Sequence, residues 1–328
     1  MIILTKRITL ILVAAFCGAV AAGSSAFAAP PAPPAFQRTF VSALGTDQNP
    51  CLRLLPCRTF QTAIDRTAPG GEVDCTDTGS FGPIVITNAI SIICDGAVAG
   101  VGSANDGVTI NAGDTDVIFL SGLDISGTLS SLSGVNFISG GSLQIINTTI
   151  RGFGQHAIEV APGAGKQVSL YLRDVTITNN GTSGNSATGA VDLRVGTGGI
   201  TNVLIEGAHL AYNQNSGLQA DTSGVPGGLI NLTVRNSAFA NNGTAFALRA
   251  RAGDSPVRVS IDNATIIQNS VYGIRVSGVG VSAIVSNSTI TSNQTGVVSS
   301  AGSLNSFGDN RLSGNVVDGA FTSVIARQ

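Results

Sequence analysis

Six segments of the chain repeat one pattern around a turn-forming residue. Each segment reads apolar-x-apolar-x-centre-x-x-apolar, as Leu143, Ile145 and Ile150 do around Asn147. The six centres are Asn147, Asp174, Gly207, Asn236, Asn263 and Asn287. Successive centres are 27, 33, 29, 27 and 24 residues apart. In this range of periods, stacked repeat proteins bury the apolar face of each unit against its neighbours, so the pattern predicts a solenoid.

A second polar column follows the centres at a distance of six residues. Its members are Asn180, Asn213, Asn242, Asn269, Asn293 and, after a degenerate row at Asp309, Asn315, whereas the first row has Phe153. Asparagine tolerates the left-handed conformation of a sharp corner, and stacked amides hydrogen-bond from one coil to the next. Some of these residues also begin Asn-x-Thr glycosylation triplets, but their recurrence at corners favours amide ladders.

The composition favours thin, turn-rich coils. The chain has 42 Gly, no Trp, 5% aromatic residues and 11% charged residues. Between the centres, short runs of Val, Ile, Leu and Thr end at Gly, Asn or Ser and show no sustained helical period. A leucine-rich repeat is disfavoured because its additional Leu positions and its helix-forming return segment are missing. The predicted fold class is therefore an all-β solenoid.

The amino terminus predicts export. Two basic residues precede an uncharged stretch from Ile8 to Val20, and Ala26-Phe27-Ala28 offers the small residues of a signal-peptidase site. The apolar run is shorter than the ~20 residues that a membrane-spanning helix needs. We therefore predict a signal peptide over residues 1–28, a Pro-rich linker over residues 29–38, and a periplasmic or extracellular location.

The charge balance of the mature chain is mildly acidic. Removal of the predicted signal peptide takes away two of the 17 basic residues and none of the 19 acidic ones. The formal net charge of the mature chain is then 15 − 19 = −4. Over the whole chain this balance gives no electrostatic case for nucleic acid or an anionic membrane as a partner.

Four cysteines remain in the mature chain: Cys51, Cys57, Cys75 and Cys94. In an oxidising compartment an even count favours two bridges, Cys51 to Cys57 and Cys75 to Cys94, among three possible pairings. Metal binding is the alternative, and the chain offers no CxxC pair or nearby His for it.

One segment has a helical pattern. Thr59 is placed to cap it, and Pro69-Gly70-Gly71 to stop it, so we predict a helix over residues 59–68. A solenoid must cover its open end, and this helix is predicted to be the amino-terminal cap. The predicted organisation is a cap over residues 39–72, a β-helix of about ten coils over residues 73–320 and a tail over residues 321–328.

Several short segments carry a family resemblance. They are Thr39-Phe40-Val41-Ser42, Asn49-Pro50-Cys51, Pro56-Cys57-Arg58-Thr59-Phe60, Ala68-Pro69-Gly70-Gly71-Glu72, Gly122-Leu123-Asp124-Ile125 and Thr148-Thr149-Ile150-Arg151-Gly152-Phe153. Through them, residues 39–320 resemble exported bacterial right-handed parallel β-helix proteins of the pectate-lyase-like superfold, in a subgroup without assigned activity. The resemblance implies a fold and export, and it leaves the activity open because this superfold hosts lyases, hydrolases, adhesins and structural modules.

The residue before each centre is predicted to point outward. This column contains Ile146, Arg173, Glu206, Arg235, Asp262 and Ser286. With coils ~4.8 Å apart, Glu206 and Asp262 would stand two coils apart, close to the carboxylate spacing of inverting glycosidases. Arg173, Glu206, Arg235 and Asp262 are therefore the candidate catalytic residues. The cation of Arg235 between the carboxylates favours a structural charge ladder instead, because it lowers the pKa that a general acid needs raised.

A second outward column is predicted along the later strand of each coil. It contains Glu159, Arg194, Gln219, Arg249 and Arg275. Arg194, Arg249 and Arg275 are candidates for binding the carboxylates of an acidic polysaccharide, since guanidinium groups pair with carboxylates in a bidentate manner. A solvated strand face is the alternative.

Other catalytic signals are weak. No Asp-rich calcium loop occurs, and His156 and His209 fall in different columns, where we predict surface or corner positions. We therefore predict no metal and no cofactor, with Ca²⁺ only in the case of a lyase. The favoured hypothesis is a non-catalytic exported module, structural or binding a polysaccharide or cell-surface glycan, with no nucleic acid partner and no membrane span. The alternative is a lyase or hydrolase of uronic-acid-containing polysaccharide, with its site at the Arg173 to Asp262 column between loops 181–188 and 221–228.

Overall fold

The computed structural model describes residues 35–326. Within this range there is one helix, α1 (Phe60–Arg66), and 31 strands. The predicted signal peptide and most of the predicted linker lie outside the described residues. No helix among the described residues is long and apolar enough to cross a bilayer.

From β2 onward the strands follow one another with short connections. In chain order they are β1 (Phe36–Val41), β2 (Thr67–Cys75), β3 (Gly79–Ser80), β4 (Ile84–Ile86), β5 (Ile90–Ile93), β6 (Ala99–Gly102), β7 (Val108–Asn111), β8 (Val117–Ser121), β9 (Leu123–Ser126), β10 (Ser133–Ser139), β11 (Ser142–Ile146), β12 (Thr149–Arg151), β13 (His156–Val160), β14 (Gln167–Arg173), β15 (Thr176–Thr178), β16 (Gly189–Leu193), β17 (Ile200–Glu206), β18 (His209–Ala211), β19 (Ser216–Asp221), β20 (Leu229–Arg235), β21 (Ala238–Ala240), β22 (Thr244–Arg249), β23 (Val257–Asp262), β24 (Thr265–Ile267), β25 (Tyr272–Ser277), β26 (Val281–Ser286), β27 (Thr289–Thr291), β28 (Thr295–Ser300), β29 (Ser303–Ser306), β30 (Arg311–Leu312) and β31 (Ser323–Val324).

Among the described residues these strands form three parallel sheets. The twelve-stranded sheet runs from β1 and β2 through every third strand to β29 and β31, the ten-stranded sheet runs from β3 to β30, and the nine-stranded sheet runs from β4 to β28. Each coil visits the three sheets in that order before the chain returns to the twelve-stranded sheet. The predicted parallel β-solenoid is confirmed.

The core is a stack of apolar side chains that repeat in register. In the twelve-stranded sheet, Leu143 pairs with Leu170, which pairs with Val203, and all three are buried. Within one coil, the rings of Phe239 in β21 and Phe246 in β22 fill the interior with centroids 4.2 Å apart. Because side chains alternate between the two faces of a strand, the outward side chains also stand in straight columns.

The first corner of each coil uses the left-handed conformation, as the repeat predicts. The centre of each row has a positive φ: Asn147 46°, Asp174 53°, Gly207 62°, Asn236 53°, Asn263 48° and Asn287 46°. Asparagine, aspartate and glycine are the residues that adopt this conformation at the lowest cost, which explains their recurrence at the centre.

The second corner differs from the prediction by one residue. The left-handed residue is the one before the asparagine column: Asn179, Tyr212, Asn241, Gln268 and Ser292, with φ between 55° and 59°. The asparagines themselves are buried and form the predicted amide ladder. Each side-chain Nδ2 donates to the Oδ1 of the next coil at 2.8–3.3 Å, linking Asn180, Asn213, Asn242, Asn269, Asn293 and Asn315.

Helix α1 begins where the sequence predicts and ends earlier. The hydroxyl of Thr59 accepts a hydrogen bond from the backbone N–H of Thr62, and Phe60 is buried on the inner face. Thr67 is already extended and begins β2, so Pro69 and the two glycines after it lie in a strand. The helix prediction over residues 59–68 was therefore two residues too long at its end. The role of α1 as a cap stays a prediction.

The ends of the described range also differ from the predicted boundaries. Strand β1 begins at Phe36, inside the range predicted as linker, and β31 lies in the predicted tail and pairs with β29. The two predicted disulfides are confirmed: Cys51 is bonded to Cys57, and Cys75 to Cys94. Both bridges lie in the first coils of the solenoid.

Replacing Asn242 by Ala tests the amide ladder. The Oδ1 of Asn242 accepts from the backbone N–H and the Nδ2 of Asn213, and its own Nδ2 donates to the Leu210 carbonyl. Because the substitution leaves these buried groups without partners, we expect a loss of about 3 kcal/mol in the free energy of unfolding, measured by chemical denaturation.

The matched control is Asn231→Ala. The Asn231 Nδ2 donates to the Asn202 Oδ1 of the neighbouring coil at 2.9 Å, but this pair is only partly buried and lies on the outer face of the sheet. Water replaces the lost hydrogen bond there, so we expect a loss below about 1 kcal/mol. Equal losses at the two positions would contradict a stabilising role specific to the buried ladder.

Candidate functional site

The predicted charge column exists in register on the twelve-stranded sheet. Arg173 pairs with Glu206, Glu206 with Arg235, and Arg235 with Asp262. The Arg235 Nε lies 3.1 Å from Glu206 Oε1, and the hydroxyl of Ser286 donates to Asp262 Oδ1 at 2.7 Å. The column is therefore a set of contacts between neighbouring coils.

The partners of Glu206 also determine its protonation. Hydrogen bonds from Arg235 and from the Tyr171 hydroxyl, at 3.2 Å from Oε2, hold the pKa of the Glu206 carboxyl below its usual range. A general acid needs the opposite shift, because it must keep its proton near neutral pH. The electrostatics of Glu206 oppose the catalytic hypothesis for this column.

The second predicted column mixes two columns of the nine-stranded sheet. Arg275 stands in line with Ala247 and Gln219. Arg249 pairs with Asp221 instead, and Arg194 follows the end of β16, two residues beyond Asp192. The prediction of one column was wrong because the segments between the asparagine ladder and this sheet differ in length from coil to coil.

An open groove of about 550 Å³ lies on the outer face of the nine-stranded sheet. Strands β19, β22 and β25 form its floor, and among its lining residues are Gln219, Asp221, Thr244, Arg249, Tyr272, Arg275 and Ser277. Ser186 and Ala187 of the loop over residues 181–188 form one wall. This loop was predicted to flank the Arg173 to Asp262 column, and the structure places it beside the groove instead.

The wall loop is held by one side chain of the next coil. The Asn215 Nδ2 donates to the carbonyl oxygens of Thr182 and Asn185, at 2.9 and 2.7 Å, and to the hydroxyl of Thr188 at 2.8 Å. These contacts fix the loop at the edge of the groove. The groove is therefore a preformed surface feature.

Two of the three candidate arginines are paired with carboxylates. The Arg194 Nε lies 2.6 Å from Asp192 Oδ2, and the Arg249 Nη1 lies 3.6 Å from Asp221 Oδ2. The hydrogen bond that Arg194 donates to Asp192 raises the pKa of the Arg194 guanidinium. The charges of both arginines are therefore partly neutralised within the protein.

Arg275 is different. Its guanidinium carbon lies 5.3 Å from the centroid of the Tyr272 ring, a distance at which a cation is attracted to the ring face. The side chain is exposed and forms no ion pair with a carboxylate among residues 35–326. The groove therefore presents one cation available to an anionic ligand.

A buried polar cluster lies beside the groove. His156 is 5% exposed and Asp192 is 0% exposed, and His156 Nε2 lies 3.8 Å from Asp192 Oδ2. Burial lowers the pKa of His156 to about 4 and raises the pKa of Asp192, whose hydrogen bond with Arg194 acts in the opposite direction. The prediction of a surface position for His156 was wrong, because neighbouring coils cover it.

The remaining predicted site features are separate from the groove. His209 is exposed on the ten-stranded sheet. Within the described range, no group of three or more His, Cys, Asp or Glu side chains is arranged to hold a metal ion. The absence of a cofactor stays a prediction.

The family can be assigned from the sequence of the coils. Residues 101–320 match the family described as right handed beta helix region. The chain belongs to this right-handed β-helix family. This assignment confirms the fold resemblance and supplies the handedness of the solenoid. None of the curated proteins matches the chain in sequence.

Solved structures similar to this β-helix include enzymes that differ widely from it in sequence. A pectate lyase, Pel9A, has a TM-score of 0.61 at 14% identity, covering 90% of this chain and 80% of its own. A rhamnogalacturonan lyase has a TM-score of 0.46 at 13% identity, covering 89% of each chain. The A-module of the Azotobacter vinelandii mannuronan C-5 epimerase AlgE4 has a TM-score of 0.41 at 12% identity, covering 79% of this chain and 91% of its own. Likeness at these identities shows the fold alone.

Replacing His156 by Gln tests the buried cluster. The unfolded chain binds a proton at this imidazole near pH 6.5 and the folded chain only near pH 4, so His156 makes the folded protein less stable as the pH falls through this window. Relative to His156→Gln, we expect the wild-type protein to lose about 2 kcal/mol of unfolding free energy between pH 7 and pH 5, measured by chemical denaturation.

The control for this prediction is His209→Gln, which removes an imidazole from the exposed ten-stranded sheet. Asp192 is present in the wild-type protein and in both variants. Its contribution to the pH dependence of the unfolding free energy has the opposite sign to that of His156, because its raised pKa favours the folded state at lower pH. A wild-type curve parallel to that of His156→Gln over this pH range would contradict the buried, neutral imidazole.

Proposed function

We propose that the protein is an exported β-helix that binds an acidic polysaccharide in the groove, with a sugar carboxylate on Arg275. The observation that carries the proposal is the exposed guanidinium of Arg275, which has no carboxylate partner among the described residues and lies over Tyr272. The planar fork of a guanidinium matches a carboxylate with two parallel hydrogen bonds. A uronic-acid residue supplies that carboxylate.

The rest of the groove suits a sugar chain. The Tyr272 ring offers an apolar face, while Gln219, Thr244 and Ser277 offer amide and hydroxyl groups for hydrogen bonds to sugar hydroxyls. The groove crosses strands β19, β22 and β25 of successive coils, and coils repeat every ~4.8 Å. A polymer lying along the solenoid axis would therefore cross the three strands in turn and reach Arg275 on β25.

Export is supported by the two disulfides. Cys51–Cys57 and Cys75–Cys94 are bonded, and such bonds persist in the periplasm and outside the cell. The proposal adds the predicted signal peptide over residues 1–28, so the polysaccharide is one that the protein meets after export.

Binding without cleavage is favoured over a lyase or hydrolase at the Arg173 to Asp262 column. Arg235 and Tyr171 hold the pKa of the Glu206 carboxyl below its usual range, whereas a general acid needs a raised pKa. Release of reducing sugar or of unsaturated product from polyuronates, lost in Glu206→Gln or Asp262→Asn, would establish the enzymatic alternative.

The binding proposal is tested by Arg275→Ala. Equilibrium affinity is measured by calorimetry for polygalacturonate, for alginate and for neutral dextran. We expect binding to the two polyuronates only, weakened roughly tenfold or more by Arg275→Ala because a charge-assisted pair is lost, and weakened by added salt. Arg249→Ala has a smaller effect because Arg249 already faces Asp221.

The matched control is Arg258→Ala. Arg258 is an exposed arginine on the outer face of the twelve-stranded sheet, away from the groove. The same loss of affinity in Arg258→Ala and Arg275→Ala would show that only the net charge of the protein matters. Equal binding of dextran and polyuronates would show that the sugar carboxylates do not contribute to binding. Either result rejects the proposed site.

A further inference from the structure

One buried carboxylate beside the groove is held by a single arginine. Asp192 is 0% exposed, and its Oδ2 lies 2.6 Å from the Nε of Arg194. The Asp192 Oδ1 is also buried and has no hydrogen-bond partner among the described residues. Buried polar atoms are ordinarily hydrogen-bonded, so the ionised form of Asp192 is stabilised at one of its two oxygens only.

This pair adjoins the floor of the groove. Strand β16 pairs with the floor strand β19, and Asp192 is in register with Gln219. Two residues further along the same two strands, Arg194 follows β16 beside Asp221, which lines the groove. The Arg194 side chain is 49% exposed. The arginine is therefore accessible at the edge of the groove, while its carboxylate partner lies beneath the surface.

Three carboxylates surround the Arg194 guanidinium. They are Asp192, Glu159 on β13 and Asp221 on β19, and each raises the pKa of Arg194. Asp192 accepts the hydrogen bond from the Arg194 Nε, whereas Asp221 also faces Arg249 at 3.6 Å. While Asp192 is ionised, the charge of Arg194 is therefore used within the protein.

Burial makes Asp192 easier to protonate than an exposed aspartate. It raises the pKa of the carboxyl above the ordinary value near 4, and the hydrogen bond from Arg194 offsets this effect only in part. His156 on β13 stays neutral above pH 5, because burial lowers its pKa to about 4. A neutral carboxyl group no longer attracts a guanidinium, so protonation of Asp192 releases the charge of Arg194 to the groove.

We infer that Arg194 is a second binding site for a sugar carboxylate, closed while Asp192 is ionised and opened when Asp192 takes up a proton. The inference rests on the proposed function, because the ligand is the polyuronate that Arg275 binds. Strands β16 and β25 are three coils apart, or ~14 Å at ~4.8 Å per coil. A polymer lying along the solenoid axis therefore reaches both guanidinium groups.

Proton uptake and binding are coupled in both directions. A sugar carboxylate that pairs with Arg194 draws this cation away from Asp192, which favours protonation of Asp192. By linkage, a lower pH then favours binding of the polyuronate. The sugar carboxylates themselves stay ionised above pH 5, because ordinary carboxyl groups titrate near pH 4.

The test is titration calorimetry of the protein with polygalacturonate at pH 7.5 and pH 5.5. We expect the affinity of the unsubstituted protein to be roughly tenfold higher at pH 5.5, the contribution of about one charge-assisted pair. We also expect net proton uptake on binding, measured from the binding enthalpies in buffers of different ionisation enthalpy.

Two variants assign the effect to the pair. Asp192→Asn keeps the size of the side chain and removes its titration, so we expect it to bind at both pH values as the unsubstituted protein does at pH 5.5. Arg194→Ala removes the second site, so we expect it to bind at both pH values as the unsubstituted protein does at pH 7.5.

The matched control is Glu159→Gln, which removes the carboxylate in register with Asp192 on the preceding coil. We expect this variant to keep the rise in affinity between pH 7.5 and pH 5.5. A rise of the same size in Asp192→Asn, or in Arg194→Ala, would overturn the inference because the effect would then come from other groups.

The outcomes also separate this inference from the proposed function. Binding that Arg275→Ala weakens but that does not change with pH would overturn the inference and leave the groove as the binding site. Absence of polygalacturonate binding at both pH values would reject both. Circular dichroism at both pH values distinguishes these results from loss of the fold, and proton uptake by the unsubstituted protein requires no variant.

Discussion

The stacking of one coil on the next in strict register is the constraint on which the rest of the structure depends. The three parallel sheets fix the register of the strands. Inside the fold, the amide ladder from Asn180 to Asn315 fixes the register of the second corners. Each buried amide serves two neighbouring coils, so a polar group that would otherwise be costly to bury becomes part of the stacking interaction. The apolar core then needs few aromatic residues, because the coils are thin and filled by Leu, Ile and Val.

Strict register also decides where a ligand can bind. Outward side chains of successive coils face one another at ~4.8 Å, so opposite charges in one column neutralise each other, as Glu206 and Arg235 do. A charge is available to a ligand only where its column holds no opposite partner. Arg275 meets this condition, because Ala247 and Val298 stand beside it in register. The groove over the nine-stranded sheet thus holds a cation without an opposite charge in its column, whereas Glu206 and Arg235 of the twelve-stranded sheet pair with each other.

The repeat pattern predicted the coils, the first corner and the asparagine ladder because these depend on residue types at fixed spacings. The alternating charge column was also found in register, since it immediately precedes the centres. The prediction combined outward residues from two columns of the nine-stranded sheet into one. The reason is that the number of residues between the asparagine ladder and this sheet varies, most of all where the loop over residues 181–188 follows Asn180. Burial of His156 could not be predicted, since the residues that cover it belong to other coils.

The central claim is that the groove, and not the charge column, is the functional surface of this β-helix. The most direct measurement is a crystal structure of the protein with a uronic-acid oligosaccharide bound. The account predicts a sugar ring against Tyr272 with its carboxylate within hydrogen-bonding distance of Arg275. An oligosaccharide seated on the Arg173 to Asp262 column, with the groove empty, would contradict it.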